Sequence, residues 1–287
     1  MTLASSYWPP DTSEEVQETT IGDALRDAAR AAPDRTALVA GMPNPADRRR
    51  WTYAELLHDA ELVARSLLTR FEPGEHVAVW APNIPEWVIL QYGAALAGLV
   101  LVTVNPAYTA TELEYVLRQS RAAGLFLLPE YRTNPMAKSL ESVRPALPDL
   151  REAILFTEWH GFLPAAGSAE LSLPEVRPGD AAALLYTSGT TGFPKGAVLS
   201  HRGVTNDARF IAQRWGMAEG DVMVNPMPLF HAGGCVMAVL GAVAQLGTYV
   251  PVLAFDPALV LELIETEQAA LSGGVPTMLI AMMEHPD

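Results

Sequence analysis

The chain has 287 residues, 49% hydrophobic and 18% charged, which is enough apolar material for one large folded unit or two ordinary ones and excludes a mostly disordered polypeptide. Its formal net charge of −14 argues against DNA or RNA as a main partner, because an acidic surface repels phosphate backbones and a nucleotide then has to be held by a local set of donors. A single cysteine, Cys235, excludes an internal disulfide and a cysteine-based metal cluster and fits a reducing cytoplasm, with the thiol itself expected in the core.

Residues 1–20 read as an extended segment, with no cationic stretch followed by an apolar one, so no secretory signal is expected. Thr20 then opens a helix that runs to Pro33, and TALVA is a short strand. A long helix follows from Thr52, whose spacing to Glu55 is that of a capping box. HVAVWAP is a strand, Pro85 starts a helix that continues to Gly98, and the β-branched run LVLVTV predicts a strand covered on both faces. TATELEYVLRQSRAA is helical, with a second capping box expected at Thr111 and Glu114, and GLFLLP is the next strand. From Tyr131 to Gly179 the pattern weakens to one helix around MAKSLESV, a strand at EAILFT and a loop rich in Gly, Pro and Ala. The division into units is therefore expected at its end, with residues 1–178 as a first α/β subdomain and 179–287 as a second.

The second part resumes with strand AAALLYT, a polar loop, strand GAVLS, a helix from His201 and strand DVMVNPMP. His201 and Asn206 are expected to cap or pack. No Asp, Glu, Lys or Arg lies between Asp221 and Asp256. That stretch approaches the ~20 apolar residues that span a bilayer, but Gln245 and the turn at Leu246 to Thr248 interrupt it, so a buried helix followed by a strand is expected. Asp256 and Pro257 open a helix, Ala270–Gly273 is extended, and Pro276 starts a last helix. Alternation of helix and strand predicts an α/β fold with a largely parallel sheet.

The polar loop carries the chemistry. After an apolar strand the chain sets out Thr187, Ser188, Gly189, Thr190, Thr191 and Gly192 in succession, then Lys195. Glycines let backbone N–H groups turn toward one point, hydroxyls add donors, and the lysine adds a mobile positive charge, which together suit a polyanion. A Walker-type loop is disfavoured, since six residues separate Gly189 from Gly196 and Lys195 is followed by glycine. No GxGxxG fingerprint follows the early strands.

YTSGTTGFPKG, residues 186–196, resembles the phosphate-binding signature of the adenylate-forming (ANL) superfamily, which comprises acyl- and aryl-CoA synthetases, firefly luciferase and peptide-synthetase adenylation domains. GLVLVTVNPAYTATELEYVLRQS (98–120), LSHRGVTN (199–206) and PMPLFHAGG (226–234) are similar to the family in family order, and the resemblance runs from about Ile21 onward. PLFHAGG and VPTMLIAMMEHPD look nearest to fatty-acyl-CoA synthetases.

The resemblance implies the ANL-type N-terminal domain, with helix-covered, largely parallel sheets in layered subdomains. It also implies ATP and Mg2+ as reactants of an adenylation step, and coenzyme A as the thiol that takes the acyl group. Thr187, Ser188, Gly189, Thr190, Thr191, Gly192 and Lys195 would hold the β- and γ-phosphates, and His231 would line the acyl pocket beside the adenylate carbonyl. Met237, Gly233, Gly234 and Ala238 are compatible with facing an acyl chain, but in an apolar helix such residues are more often plain core, which is the expectation. A small carboxylic acid is then the partner, and a fatty one is compatible with peripheral membrane contact. The family's Tyr-Gly-x-Thr-Glu segment, ribose-binding aspartate and C-terminal domain with its lysine do not occur in these residues, so this chain alone is expected to be inactive. The alternatives are a non-catalytic fragment that keeps a phosphate- or acyl-binding half-site, and a peptide-synthetase adenylation domain.

Overall fold

In the computed structural model, residues 12, 14–163, 171–187 and 194–286 are described. The strands are β1 (Thr36–Val39), β2 (Arg50–Thr52), β3 (His76–Trp80), β4 (Val100–Val104), β5 (Gly124–Leu127), β6 (Glu152–Leu155), β7 (Ala181–Thr187), β8 (Lys195–Ser200), β9 (Val222–Asn225), β10 (Thr248–Pro251) and β11 (Leu271–Ser272). The helices are α1 (Ile21–Ala31), α2 (Tyr53–Leu68), α3 (Pro85–Leu96), α4 (Ala110–Ser120), α5 (Met136–Val143), α6 (Trp159–Phe162), α7 (His201–Arg214), α8 (Val239–Ala244), α9 (Pro257–Thr266) and α10 (Pro276–Met283). A π-helical stretch, Gly233–Ala238, leads directly into α8.

Two sheets result. One has the order β6-β5-β3-β4-β7-β8 and is parallel except for the β7–β8 hairpin at its edge; the other has the order β11-β9-β10-β1-β2 and is parallel except for β1–β2. Both sheets draw strands from before and after residue 179, the position of the expected division.

Strand periodicity builds the layers, since neighbouring side chains point to opposite faces. Val77 and Val79 of β3 join a large core with α1, α2, α3, α7 and α8, while Ala78 and Trp80 join a second core under α4 and α5. In the other sheet Leu38, Met223 and Tyr249 face that same large core, and Val39, Val224 and Val250 face α9. The order is thus helix, sheet, helix, sheet, helix. β4 is buried along its whole length, as its β-branched run predicts.

Local signals set the boundaries. Thr52 and Glu55 form the expected capping box, and Asp256 accepts from the Leu259 amide at the start of α9. The second box forms at Thr109 and Glu112 rather than at Thr111 and Glu114. Both pairs have the required spacing; Glu114 instead pairs with Arg118 one turn on, 3.2 Å away. β2 was not foreseen, because three residues are too short for an alternating pattern to register.

His201 lies at the start of α7 and is fully buried. Its Nδ1 accepts the Ile21 N–H at 3.3 Å, which fixes the entry of α1 against α7, and its Nε2 has no partner. Asn206 one turn later pairs with both backbone groups of Gln17, at 2.8 and 2.9 Å. Both residues thus hold the fold together, as expected. Burial pushes the His201 imidazole down to about 4, so the folded chain takes up its proton later than the unfolded chain does. The imidazole's contribution to stability is complete above about pH 6.5 and is lost as pH falls from there toward 4, each unit of displacement being worth about 1.4 kcal/mol. His201→Asn keeps an acceptor and cannot titrate, so the slope of unfolding free energy against pH in this window should flatten; an unchanged slope would clear His201.

Candidate functional site

The polar loop joins β7 to β8. Ser188, Gly189, Thr190, Thr191 and Gly192 lie outside the described residues, and its two feet, Thr187 and Lys195, lie within them. Thr187 and Lys195 are direct partners in the antiparallel register, both exposed, with the Thr187 hydroxyl donating to the Lys195 carbonyl at 3.4 Å. α4 braces both feet. Tyr186 donates to the Val116 carbonyl at 3.2 Å and to Gln119, and Tyr115 donates to the Pro194 carbonyl at 3.0 Å. Burial pushes the Tyr186 phenol up to about 12, so it remains a neutral donor. Gly196 lies where a Cβ would come within 2.7 Å of Leu184 Cδ2, which explains a glycine opposite Tyr186.

His231 sits in the connection between β9 and the π-helical stretch and is exposed. Its Nδ1 accepts the Gly233 N–H at 3.1 Å, which places the ring proton on Nε2. The connection is held from below by Asn83, a buried side chain that accepts from the Leu229 N–H at 2.8 Å and donates to the Met227 and Val252 carbonyls at 3.0 Å each. Reading the sequence did not single out Asn83; nothing local marks an asparagine in a Pro-Asn-Ile-Pro turn as a brace for a segment 144 positions away.

A cavity of about 470 Å³ lies against this connection; Gly233, whose Cβ position is 3.5 Å from His231 Nδ1, is part of its wall, and His231 itself is not. Gly233, Met237 and Ala238 line it, and Gly234 does not: a Cβ there would lie 2.3 Å from the Pro228 carbonyl oxygen, so Gly234 serves the close approach of two backbone segments. Trp215, Met223, Met227 and Leu271 complete the apolar wall and were missed, because three separate segments supply them. Recurring methionines from 223 to 237 were the one readable signal, an adaptable apolar lining being what thioethers provide. The π-helical stretch widens the backbone beside this cavity, a placement common at functional sites. Cys235 lies behind it, buried, with its thiol pushed up to about 12 by burial, which makes it core rather than nucleophile.

Among the described residues no group of His, Cys, Asp or Glu forms a metal site, and no helix is long and apolar enough to cross a membrane.

Comparison with known proteins bears on this arrangement. The AMP-binding enzyme family matches residues 25–287. "Putative acyl-CoA synthetase YngI" of Bacillus subtilis is 37% identical over 95% of this chain and 54% of its own length. The mitochondrial medium-chain acyl-CoA ligase ACSF2 of Mus musculus is 33% identical over 98% of the chain and 50% of its own length. A Mycobacterium tuberculosis fatty acyl CoA synthetase superposes with a TM-score of 0.80 at 26% identity, over 93% of this chain and 51% of that one. The chain therefore spans about half the length of the curated relatives it matches.

Proposed function

Because this chain belongs to the AMP-binding enzyme family, we propose that it supplies the phosphate loop and the acyl cavity of an acyl-CoA synthetase, which joins a fatty acid to coenzyme A through an acyl-adenylate at the expense of ATP. The observation that carries this reading is the cavity of about 470 Å³ lined mainly by apolar residues, with Gly233 of its wall next to His231. A cavity of that size and lining suits a small apolar ligand whose one polar end is met at the mouth.

The loop from Thr187 to Lys195 would hold the phosphates. Thr187 and Lys195 fit that role, since they are direct partners in the antiparallel register and place a hydroxyl residue and a lysine side by side at the end of an edge hairpin. Magnesium would add charge neutralisation to the same phosphates. The Nε2–H of His231 would orient the carboxylate of the incoming acid, which a neutral imidazole does by donation without altering net charge. A carboxylate positioned in this way has lost much of the entropy that opposes its attack on the α-phosphate. A reducing compartment, of which the cytoplasm is our assignment, suits a protein whose one thiol is unpaired.

The test is exchange of labelled pyrophosphate into ATP, driven by a panel of carboxylic acids, in a parent protein that carries the family's adenine- and ribose-binding segments. Straight-chain fatty acids should drive exchange and amino acids should not. Exchange driven by amino acids alone would replace the synthetase reading with that of a peptide-synthetase adenylation domain.

A further inference from the structure

The cavity beside His231 has a direction. β9 runs from Val222 to Asn225, and the chain then passes Met227 before it reaches His231. Met227 and Gly233 therefore mark the end near the imidazole, where a Cβ on Gly233 would sit 3.1 Å from Met227 Cε and 3.5 Å from His231 Nδ1. Met223, inside β9, marks the opposite end. Trp215 reaches the cavity from that opposite end: it caps α7, and residues 216–221 lead from it into the start of β9.

We propose that the Trp215 indole is the end wall of this cavity and sets the longest straight acyl chain it accepts, at about ten carbons. This rests on the reading of the cavity as an acyl site. Met223 and Met227 are four residues apart, the strand ending at Asn225 and Met227 standing at a bend, so at most about 13 Å separates them at the rise of a strand. A saturated hydrocarbon advances about 1.2 Å per bond, as the three bonds of an extended residue do. The quotient is about eleven bonds at most, and the bend at Met227 brings it to about ten. Met237 and Leu271 along the sides provide an apolar surface that adapts to a flexible chain, and Asn225, a polar residue of the wall, already uses Oδ1 to accept the Met227 N–H at 3.1 Å. Trp215 is 46% exposed, one part of the indole lining the cavity and another meeting solvent, so trimming it opens the end of the cavity without removing a core residue.

Binding of saturated fatty acids of graded length to this chain tests the assignment, read by displacement of a dansyl-labelled fatty acid. In the unaltered chain each added methylene should tighten binding about fourfold, and the gain should stop near ten carbons. In Trp215→Ala the gain should continue for about three to five further carbons, and Trp215→Phe should break off in between. The same break in Trp215→Ala as in the unaltered chain would overturn the role of Trp215 and leave the acyl reading standing, as would a gain with no break in the unaltered chain. Failure of the labelled acid and of every length to bind would overturn the acyl reading itself, and the proposal with it.

Discussion

Lys195→Ala should slow acid-dependent exchange of pyrophosphate into ATP by about 10- to 100-fold, in a protein that carries this chain together with the family's adenine- and ribose-binding segments, and leave the unfolding midpoint unchanged. The magnitude follows from removing one hydrogen bond between charged groups, worth roughly 1.5–3 kcal/mol, where about 1.4 kcal/mol is a factor of ten in rate. Lys195 is exposed at the first position of β8, and among the described residues no carboxylate lies within ion-pair distance of it. Its ammonium group is therefore available to an anion at the hairpin's end, and nothing in the core depends on it. Lys195→Arg keeps the charge but presents a planar fork in place of a point charge, so partial activity is expected. An unchanged rate in Lys195→Ala would remove this residue from the phosphate site.

Gly234→Ala should destabilise the chain by about 3 kcal/mol or more and displace His231. A methyl group there would meet the Pro228 carbonyl oxygen at 2.3 Å, the Pro228 carbonyl carbon at 2.7 Å and Leu229 Cα at 2.9 Å, all of them backbone atoms. Overpacking against side chains typically costs about 1–3 kcal/mol because a rotamer can give way. Here the backbone cannot, since Leu229 is held by Asn83 and the Gly234 N–H is bonded to the His231 carbonyl at 2.9 Å. Relief has to come from movement of residues 228–231, which carry the imidazole. Denaturant midpoints would measure the loss, with Gly179→Ala as the control, because a methyl group at 179 meets nothing within 4 Å. A Gly234→Ala midpoint equal to that of the control would refute the close-approach account.

Much of the fold was legible from short-range chemistry. The Thr52 capping box, the Asp256 cap, the β-branched run of β4 and the proline at the head of α3 each act within a few residues, and each appears where the sequence places it. The second capping box was off by two positions because Thr109 and Thr111 both satisfy the same local rule, and only packing of the Leu113–Val116–Leu117 face decides between them. The π-helical stretch was invisible, since an apolar run shows no difference between one helical hydrogen-bond pattern and another. Of the site, His231 and the small residues after it were readable as a motif. The braces and the far wall were not: Asn83, Tyr115 and Trp215 act across the fold on segments with which they share no local pattern. The chemistry-bearing residues cluster in sequence, and those that position them do not.

The strand order also governs how the molecule is made. β3 to β6 are contiguous in the chain and can pair as soon as residue 155 is out of the ribosome. β1 can pair early with β2 on one side, Leu38 with Trp51 and Val39 with Arg50, but its other side is matched through Leu38 with Tyr249, which is translated 211 positions later. At roughly 5–20 residues per second that interval lasts about 10–40 s. For that time the nascent polypeptide holds the β1–β2 pair with one side of Leu38 and Val39 open and their apolar faces uncovered, a target for chaperones until the cavity-bearing half arrives to cover it.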